Sequence, residues 1–410
     1  MPSTDNTHSQ PNPFRLLENA MSGLDPRKWS TENPTEAVAM GIHALRSGLF
    51  VAESIPLFWL QRPQSGSKTK PPSSDALELT LARLRELLER DAQLIGQGLA
   101  PLSVFTPRDP LSHGSRLLRI LADAQRVSAR KRKRNSKDFS REAKPFLDEL
   151  PAYYRRNFHY QTDGYLSETS AELYEHQVEL LFRGGADAMR RMIIPPLNQA
   201  FRDMKGEIKD GGQGLRILEV GSGAGTATQS VARAFPKAKI TCLDLSYPYT
   251  RHARKQLRDF PRVECVQGDA ANLEFADERF DAVFSVFLYH ELPLPVREQV
   301  LEEAFRVLKP GGVFSFVDSL QKGDDTDLDW ALEFFPREFH EPYYANYAAN
   351  PMEALIKEAG FETIENGTGY LAKWASARKP EAKPMKARKT TTRKTTPKKR
   401  ARRKAKPTAK

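Results

Sequence analysis

Ile217-Leu218-Glu219-Val220-Gly221-Ser222-Gly223-Ala224-Gly225 is the stretch whose reading decides the fold. An apolar run from Leu215 to Val220 carries one acid near its end and turns through three alternating glycines. It then passes into a helical pattern from Thr226 to Ala234. The pattern predicts a buried strand, a tight loop and a helix whose first amides point at the loop. Glycine suits such a loop because the backbone must turn sharply and approach a ligand with no Cβ in the way.

Downstream, apolar runs alternate with helical periodicity, the mark of a doubly wound parallel α/β sheet. Strands are predicted at 215–220, 239–244, 262–267, 280–287 and 312–318, and helices at 225–234, 248–258 and 296–308. After an irregular, aromatic insert at 328–348, a helix at 351–359 leads to strands at 361–366 and 369–375, close enough to form a terminal hairpin.

Two further acids stand where successive strands end, Asp244 in Leu243-Asp244-Leu245-Ser246 and Asp269 in Gly268-Asp269-Ala270. Singly, each reads equally well as a helix N-cap. Together with Glu219 they line one carboxyl edge, where α/β sheets bind nucleotides: Asp244 suits the hydroxyls of a ribose and Asp269 the exocyclic amine of an adenine. The dinucleotide fingerprint wants its third glycine at position 226, which is Thr, so the loop departs from the NAD pattern.

These residues, with Phe280-Asp281-Ala282-Val283-Phe284-Ser285 and Arg306-Val307-Leu308-Lys309-Pro310-Gly311-Gly312, resemble the class I S-adenosylmethionine-dependent methyltransferases over residues 215–375. Within them the chain looks closest to the ubiquinone/menaquinone-biosynthesis C-methyltransferases and other small-molecule enzymes. The resemblance implies a Rossmann-like seven-stranded sheet in the order 3-2-1-4-5-7-6 with strand 7 antiparallel, and S-adenosylmethionine as cofactor. It further implies that Gly221, Gly223 and Gly225 back the methionine moiety and that Glu219 supports the loop or the methionine amine. Asp244 would hold the ribose, and Asp269 with Ala270 the adenine; Ser222, Leu245 and Phe287 are counted with the cofactor contacts.

Methyl transfer from a sulfonium needs alignment and a dry cleft, and a base only where the acceptor must lose a proton. The acceptor side is the end of the fourth strand, Val286 to Pro293. His290 is the candidate base, with Glu291 orienting it; a cap or hydrogen bond to the following helix is the structural alternative. Tyr160, Tyr165, Tyr289, Glu291, His340 and Tyr343 are the expected substrate-pocket wall. No carboxylate cluster suited to a catalytic metal is evident. The segment after strand four, Phe287-Leu288-Tyr289-His290, lacks the Asn/Asp-Pro-Pro-aromatic motif of exocyclic-amine methylation and the Pro-Cys nucleophile of C5-cytosine methylation, which argues against DNA bases as acceptors.

The 410 residues divide by composition into a polar N-terminus at 1–32, a helical region at 33–150, an aromatic segment at 151–210, the α/β unit at 211–377 and a tail at 378–410. Asn33-Pro34-Thr35-Glu36 opens a first helix with Val38, Ile42, Leu45 and Leu49 on one face. Asp75 to Ile95 gives a second, with Leu77, Leu81, Leu84, Leu88 and Ile95 in a stripe, and Ser115 to Val127 a third. The basic run Arg130 to Arg134 reads as a solvated helix end. Thr169-Ser170-Ala171-Glu172 is read as a capping box for a helix to about Phe182, and another helix runs from Ala186 until Pro195-Pro196. The aromatics from Tyr153 to Tyr165 read as a lid over the cofactor cleft, or as inter-domain packing.

Cys242 and Cys265 fall in apolar runs and read as reduced core residues. The first fourteen residues carry no hydrophobic signal core, and no apolar stretch is long enough to span a membrane, so a cytoplasmic protein is expected. The net charge of +11 belongs to the tail, where sixteen Lys/Arg and one acid give +15 and leave −4 for residues 1–377. Such a tail binds phosphate backbones without sequence preference, or other polyanions and anionic surfaces. The substrate expected for the folded part is a small or lipid-like molecule; the alternatives are a nucleic-acid-associated or protein acceptor, or a non-catalytic nucleic-acid-binding protein that retains the fold.

Overall fold

The computed structural model describes residues 31–60, 73–107, 109–206 and 211–381. The expected disordered N-terminus and most of the basic tail lie outside the described residues.

The sheet has seven strands in the order β3-β2-β1-β4-β5-β7-β6. They are β1 Arg216–Val220, β2 Lys239–Asp244, β3 Val263–Gln267, β4 Phe280–Val286, β5 Leu308–Ser319, β6 Glu362–Gly369 and β7 Ala372–Arg378. The first five pair in parallel, and β7 runs antiparallel to both β5 and β6. In register, Glu219 sits beside Cys242 on one side and Phe284 on the other, so β1 is central and its acid is buried. β4 is buried along its whole length, as expected of a strand covered on both faces.

Among the described residues, six helices precede the sheet: α1 Pro34–Leu60, α2 Ser74–Gly96, α3 His113–Lys133, α4 Glu168–Leu181, α5 Ala186–Arg191 and α6 Ile194–Lys205. Interleaved with the strands come α7 Thr226–Ala234, α8 Tyr247–Gln256, α9 Leu294–Val307, α10 Asp329–Glu338, α11 Tyr344–Ala349 and α12 Met352–Glu358. One core joins α1 and α2 to α5–α7 and one sheet face through Leu88, Met189, Ile193, Ile217 and Phe284. The other face packs α9 and α12 through Val300, Leu301, Phe314 and Ile356. The N-terminal helices are further tied in by a buried fork: Arg191 donates to both Asp91 oxygens at 2.8 and 2.7 Å, and His43 Nε2 lies 2.8 Å from Asp91 Oδ2.

Several local expectations change. Asn33 caps α1, its side chain accepting the amides of Thr35 and Glu36. Yet Val38, Leu45 and Leu49 are exposed, and the buried face is Ala39, Met40, His43, Ser47 and Phe50. A helix with apolar residues nearly all round gives periodicity two solutions, and the wrong one was the more conspicuous. The cap of α4 is Ser167, which accepts from Ser170 N at 3.1 Å, not Thr169. Pro195 and Pro196 open α6 instead of ending a helix, consistent with proline's tolerance in a first turn. The insert at 328–348 is largely helical, in α10 and α11. Arg130 is no solvated end: it is buried and donates to Tyr160 O at 2.6 Å and Thr162 Oγ1 at 2.5 Å, while residues 131–134 are exposed. No described helix is long and apolar enough to cross a membrane, and both cysteines are free.

Candidate active site

The carboxyl edge of the sheet opens into a cavity of about 530 Å³, well within the range of small-molecule sites. Its floor is the β1–α7 loop. Gly221, Gly223 and Gly225 all have left-handed φ, at +71°, +54° and +82°. A Cβ on Gly221 would stand 2.8 Å from Leu288 Cδ1, and one on Gly225 2.8 Å from Leu257 Cδ1, whereas Gly223 has nothing within 4 Å on that side. Gly223 therefore faces open cavity. Gly221 lets the segment after β4 close in, and Gly225, which is off the cavity wall, lets α8 pack behind the loop.

Asp244 fixes this loop. Its Oδ2 accepts Gly223 N at 2.7 Å and its Oδ1 accepts Ser246 N at 2.8 Å. Burial pushes its carboxyl up to about 6, against the pull of these two amides. Each oxygen keeps a further lone pair for a ligand hydroxyl. Glu219 is more deeply buried; burial pushes it up to about 8, although Thr228 Oγ1 donates to it. Asp269 is half-buried at the end of β3 and accepts Ala271 N at 2.9 Å. Ser222, Leu245, Ala270 and Phe287 share the same wall.

The opposite part of the wall is built from segments distant in sequence. Asp318, fully buried on β5, accepts Leu288 N and Tyr289 N through Oδ2, at 3.1 and 2.7 Å, and lies 2.5 Å from His290 Nδ1 through Oδ1. Burial lowers the affinity of His290 for its proton, but the carboxylates of Asp318, Glu341 and Glu291 prevail and hold its pKa up to about 10. At neutral pH His290 is thus an imidazolium. Its Nε2 lies 3.8 Å from Glu291 Oε1, beyond hydrogen-bond reach.

Next to it, His159 Nε2 pairs with Glu341, and Tyr165 Oη donates to Glu291. Burial pushes Glu291 up to about 7, while the neighbouring His290 and His159 oppose it. One oxygen of Glu341, Oε2, is buried without a partner. Two His/carboxylate groups of metal-ligating type thus arise that spacing along the chain does not show: His159 with Glu291 and Glu341, and Glu53 with His113 and His176, each with its atoms within 4.8 Å.

Of the expected pocket residues, Tyr165 and Glu291 line the cavity. Tyr289 does not; it is buried against Phe314 and Phe316, with ring centroids 6.3 and 5.7 Å away. Tyr160 packs on His340 at 5.4 Å, and Tyr343 lies under the Arg156 guanidinium at 5.2 Å, all off the cavity wall. Their places are taken by Tyr153, Tyr154, His159, Glu341 and Tyr344. The aromatic segment does cover the loop: Tyr165 packs on Tyr249 of α8 at 5.3 Å, and Ser246 Oγ donates to the Tyr165 carbonyl at 2.5 Å. Asp318 and His159 were missed. The only trace of the first was an acid inside the apolar run Val313 to Leu320.

A family model described as "Methyltransferase domain" matches residues 217–312. The fatty-acid O-methyltransferase of Mycolicibacterium smegmatis is 38% identical over 124 residues, covering 30% of this chain and 44% of the relative. The malonyl-[acyl-carrier protein] O-methyltransferase of Geobacter sulfurreducens is 32% identical over 160 residues, covering 38% and 59%. A probable phthiotriol/phenolphthiotriol dimycocerosates methyltransferase of Mycobacterium ulcerans is 42% identical over 106 residues, covering 26% and 40%. The chain thus spans about half the length of the curated relatives it matches. The match starts in β1 and ends in β5, on a sheet of this order with acids on its carboxyl edge, so this part of the chain is similar to methyltransferase domains.

Proposed function

We propose that the protein transfers the methyl group of S-adenosylmethionine to an oxygen of a lipid-like small molecule. The observation that carries the reading is a single cavity whose wall includes both the Gly223–Asp244 corner and His290. The residues fit the cofactor. Gly223 leaves room where a Cβ would intrude, Asp244 has lone pairs for ribose hydroxyls, Asp269 for an adenine amine, and Glu219 a carboxyl for an ammonium. Relatives named for fatty-acid, malonyl-[acyl-carrier protein] and phthiotriol acceptors support the acceptor class, and the two named as O-methyltransferases favour O-methylation over the C-methylation suggested by the sequence resemblance.

When bound, S-adenosylmethionine supplies an electrophilic methyl whose transfer leaves a neutral thioether. The protein's part is alignment and exclusion of water. Leu288, pressed against Gly221, and the aromatic segment over the loop shape a dry wall. His290, charged and held by Asp318, donates its Nε2–H to the acceptor oxygen and keeps an ionised acceptor in place. This role replaces that of a base: a protonated imidazole has no lone pair with which to remove a proton. Glu291 and the His159–Glu341 pair fix the surroundings of that donor.

Calorimetry with S-adenosylhomocysteine tests the cofactor half. Wild type should bind, and Asp244→Ala should bind about tenfold to a hundredfold more weakly through lost hydrogen bonds. Equal affinities would remove Asp244 from the site.

A further inference from the structure

α1 and α3 lie outside the region matched by the methyltransferase family, yet they form part of the same cavity. Its wall also includes Ile55 of α1, Ile120 and Ala124 of α3, Val178 of α4, Phe182 just after it, and Phe335 of α10. Three polar side chains on this part are engaged with their own surroundings. Ser54 donates to the Val51 carbonyl at 2.7 Å, Asp123 accepts from Thr162 at 2.7 Å, and Arg190 pairs with Glu175 and Asp187, at 3.1 Å each. Gln177 and Arg183 also line this part, and the rest of the surface facing the space is mostly aliphatic and aromatic.

Protein interiors pack to crystal-like density and leave few voids larger than a water molecule. These helices also pack against one another through Phe50, Ile120, Leu173 and Leu180. An apolar chamber kept open between helices that otherwise close-pack, and continuous with a polar reaction corner, matches an amphiphile in shape and polarity.

We infer, resting on the acceptor reading above, that α1, α3 and α4 form a binding chamber for a long unbranched aliphatic chain. The reacting head of that amphiphile lies at His290. The N-terminal helices are then a specificity element of the enzyme. Apolar walls give no directional selection, so the chamber reads chain length, and each methylene buried raises affinity by about fourfold. Selection between head groups falls to His290 and its neighbours.

The test uses the full chain saturated with S-adenosylhomocysteine and titrated with octanoate, dodecanoate and hexadecanoate, and with the corresponding alcohols, by calorimetry. Affinity is expected to rise on the order of a hundredfold from octanoate to dodecanoate, with the acids above the alcohols if His290 holds an anion. Ala124, 2% exposed, is replaced by Phe to fill the chamber, and Val178→Phe does the same from a different helix. Both should lose at least tenfold in hexadecanoate affinity and little in octanoate affinity, with S-adenosylhomocysteine binding and the circular-dichroism melt confirming the fold. Chain-independent affinity, no binding of any chain, or equal losses for short and long chains in a folded variant would overturn the chamber. Loss of S-adenosylhomocysteine binding by the wild type would instead overturn the methyl-transfer reading itself.

Discussion

Asp318 and His290 are joined in the acceptor corner: the carboxylate of β5 lies 2.5 Å from the ring Nδ1 and with its other oxygen accepts the amides of Leu288 and Tyr289. One buried side chain therefore sets both the course of the segment after β4 and the charge of its histidine. A buried carboxylate is costly unless paired and fully hydrogen-bonded, and this one is both.

Replacing Asp318 with Asn keeps the shape but removes the charge. The variant should lose about 1–3 kcal/mol of stability, since its amide serves fewer donors. The turnover number should fall at least tenfold, with cofactor affinity nearly unchanged. Thermal melts, calorimetry and initial rates check this; a loss confined to cofactor affinity would place Asp318 outside the acceptor corner.

The pH profile separates a donor from a base. His290 is held up to about 10, so a donor role gives activity that is level through neutral pH and falls as pH rises through that value. A base would give the opposite limb, rising toward it. The linked stability has the same sign: His290 stabilises the fold fully below the ordinary histidine value of about 6.5 and loses that contribution as pH rises through 10. Asp318→Asn should shift both limbs downward.

Glu219 gives a second pH signature. Burial holds it up to about 8, so its contribution to the cofactor-free fold is fully present below the ordinary carboxyl value of about 4.3 and is lost as pH rises through about 8. A cationic amine in the site favours the ionised form. Cofactor binding at neutral pH should then release a proton, read as a calorimetric enthalpy that depends on the buffer's ionisation heat. Glu219→Gln should abolish that dependence, and a wild type without it would contradict contact between this acid and the amine.

Gly221→Ala tests the close approach of the two walls. The new Cβ would meet Leu288 Cδ1 at 2.8 Å, on a backbone with φ of +71°. The variant should lose about 1–3 kcal/mol of stability and most of its turnover. Gly223→Ala has open space for its Cβ; it should lose less stability yet weaken cofactor binding, because the methyl enters the cavity. The reverse ranking in melts would contradict the described loop.

The sheet was legible because hydrophobic runs, glycines and edge acids are local signals, and all seven strands lie within a few residues of their expected bounds. Helical amphipathicity was less decisive. α1 offers apolar residues around most of its surface, and only the packing of α2 and α4 selects the face with Met40 and Phe50. The residues expected on the cofactor side are tied to those same local signals and share one cavity wall, except that Gly225 serves packing. The acceptor corner was not, because His159, Glu291, Asp318 and Glu341 come from four segments whose meeting depends on the tertiary fold. Aromatic composition pointed to the right stretch, Tyr153 to Tyr165, but could not tell Tyr165 on the wall from Tyr160 behind it.

The central claim is methyl transfer to an amphiphile, and the most direct measurement is to incubate the protein with methyl-labelled S-adenosylmethionine and a cell lysate, then separate organic, nucleic-acid and protein fractions. Label is expected in the organic extract, on an oxygen of a long-chain molecule. Label in nucleic acid or protein instead, or no label in any fraction while S-adenosylhomocysteine still binds, would contradict it.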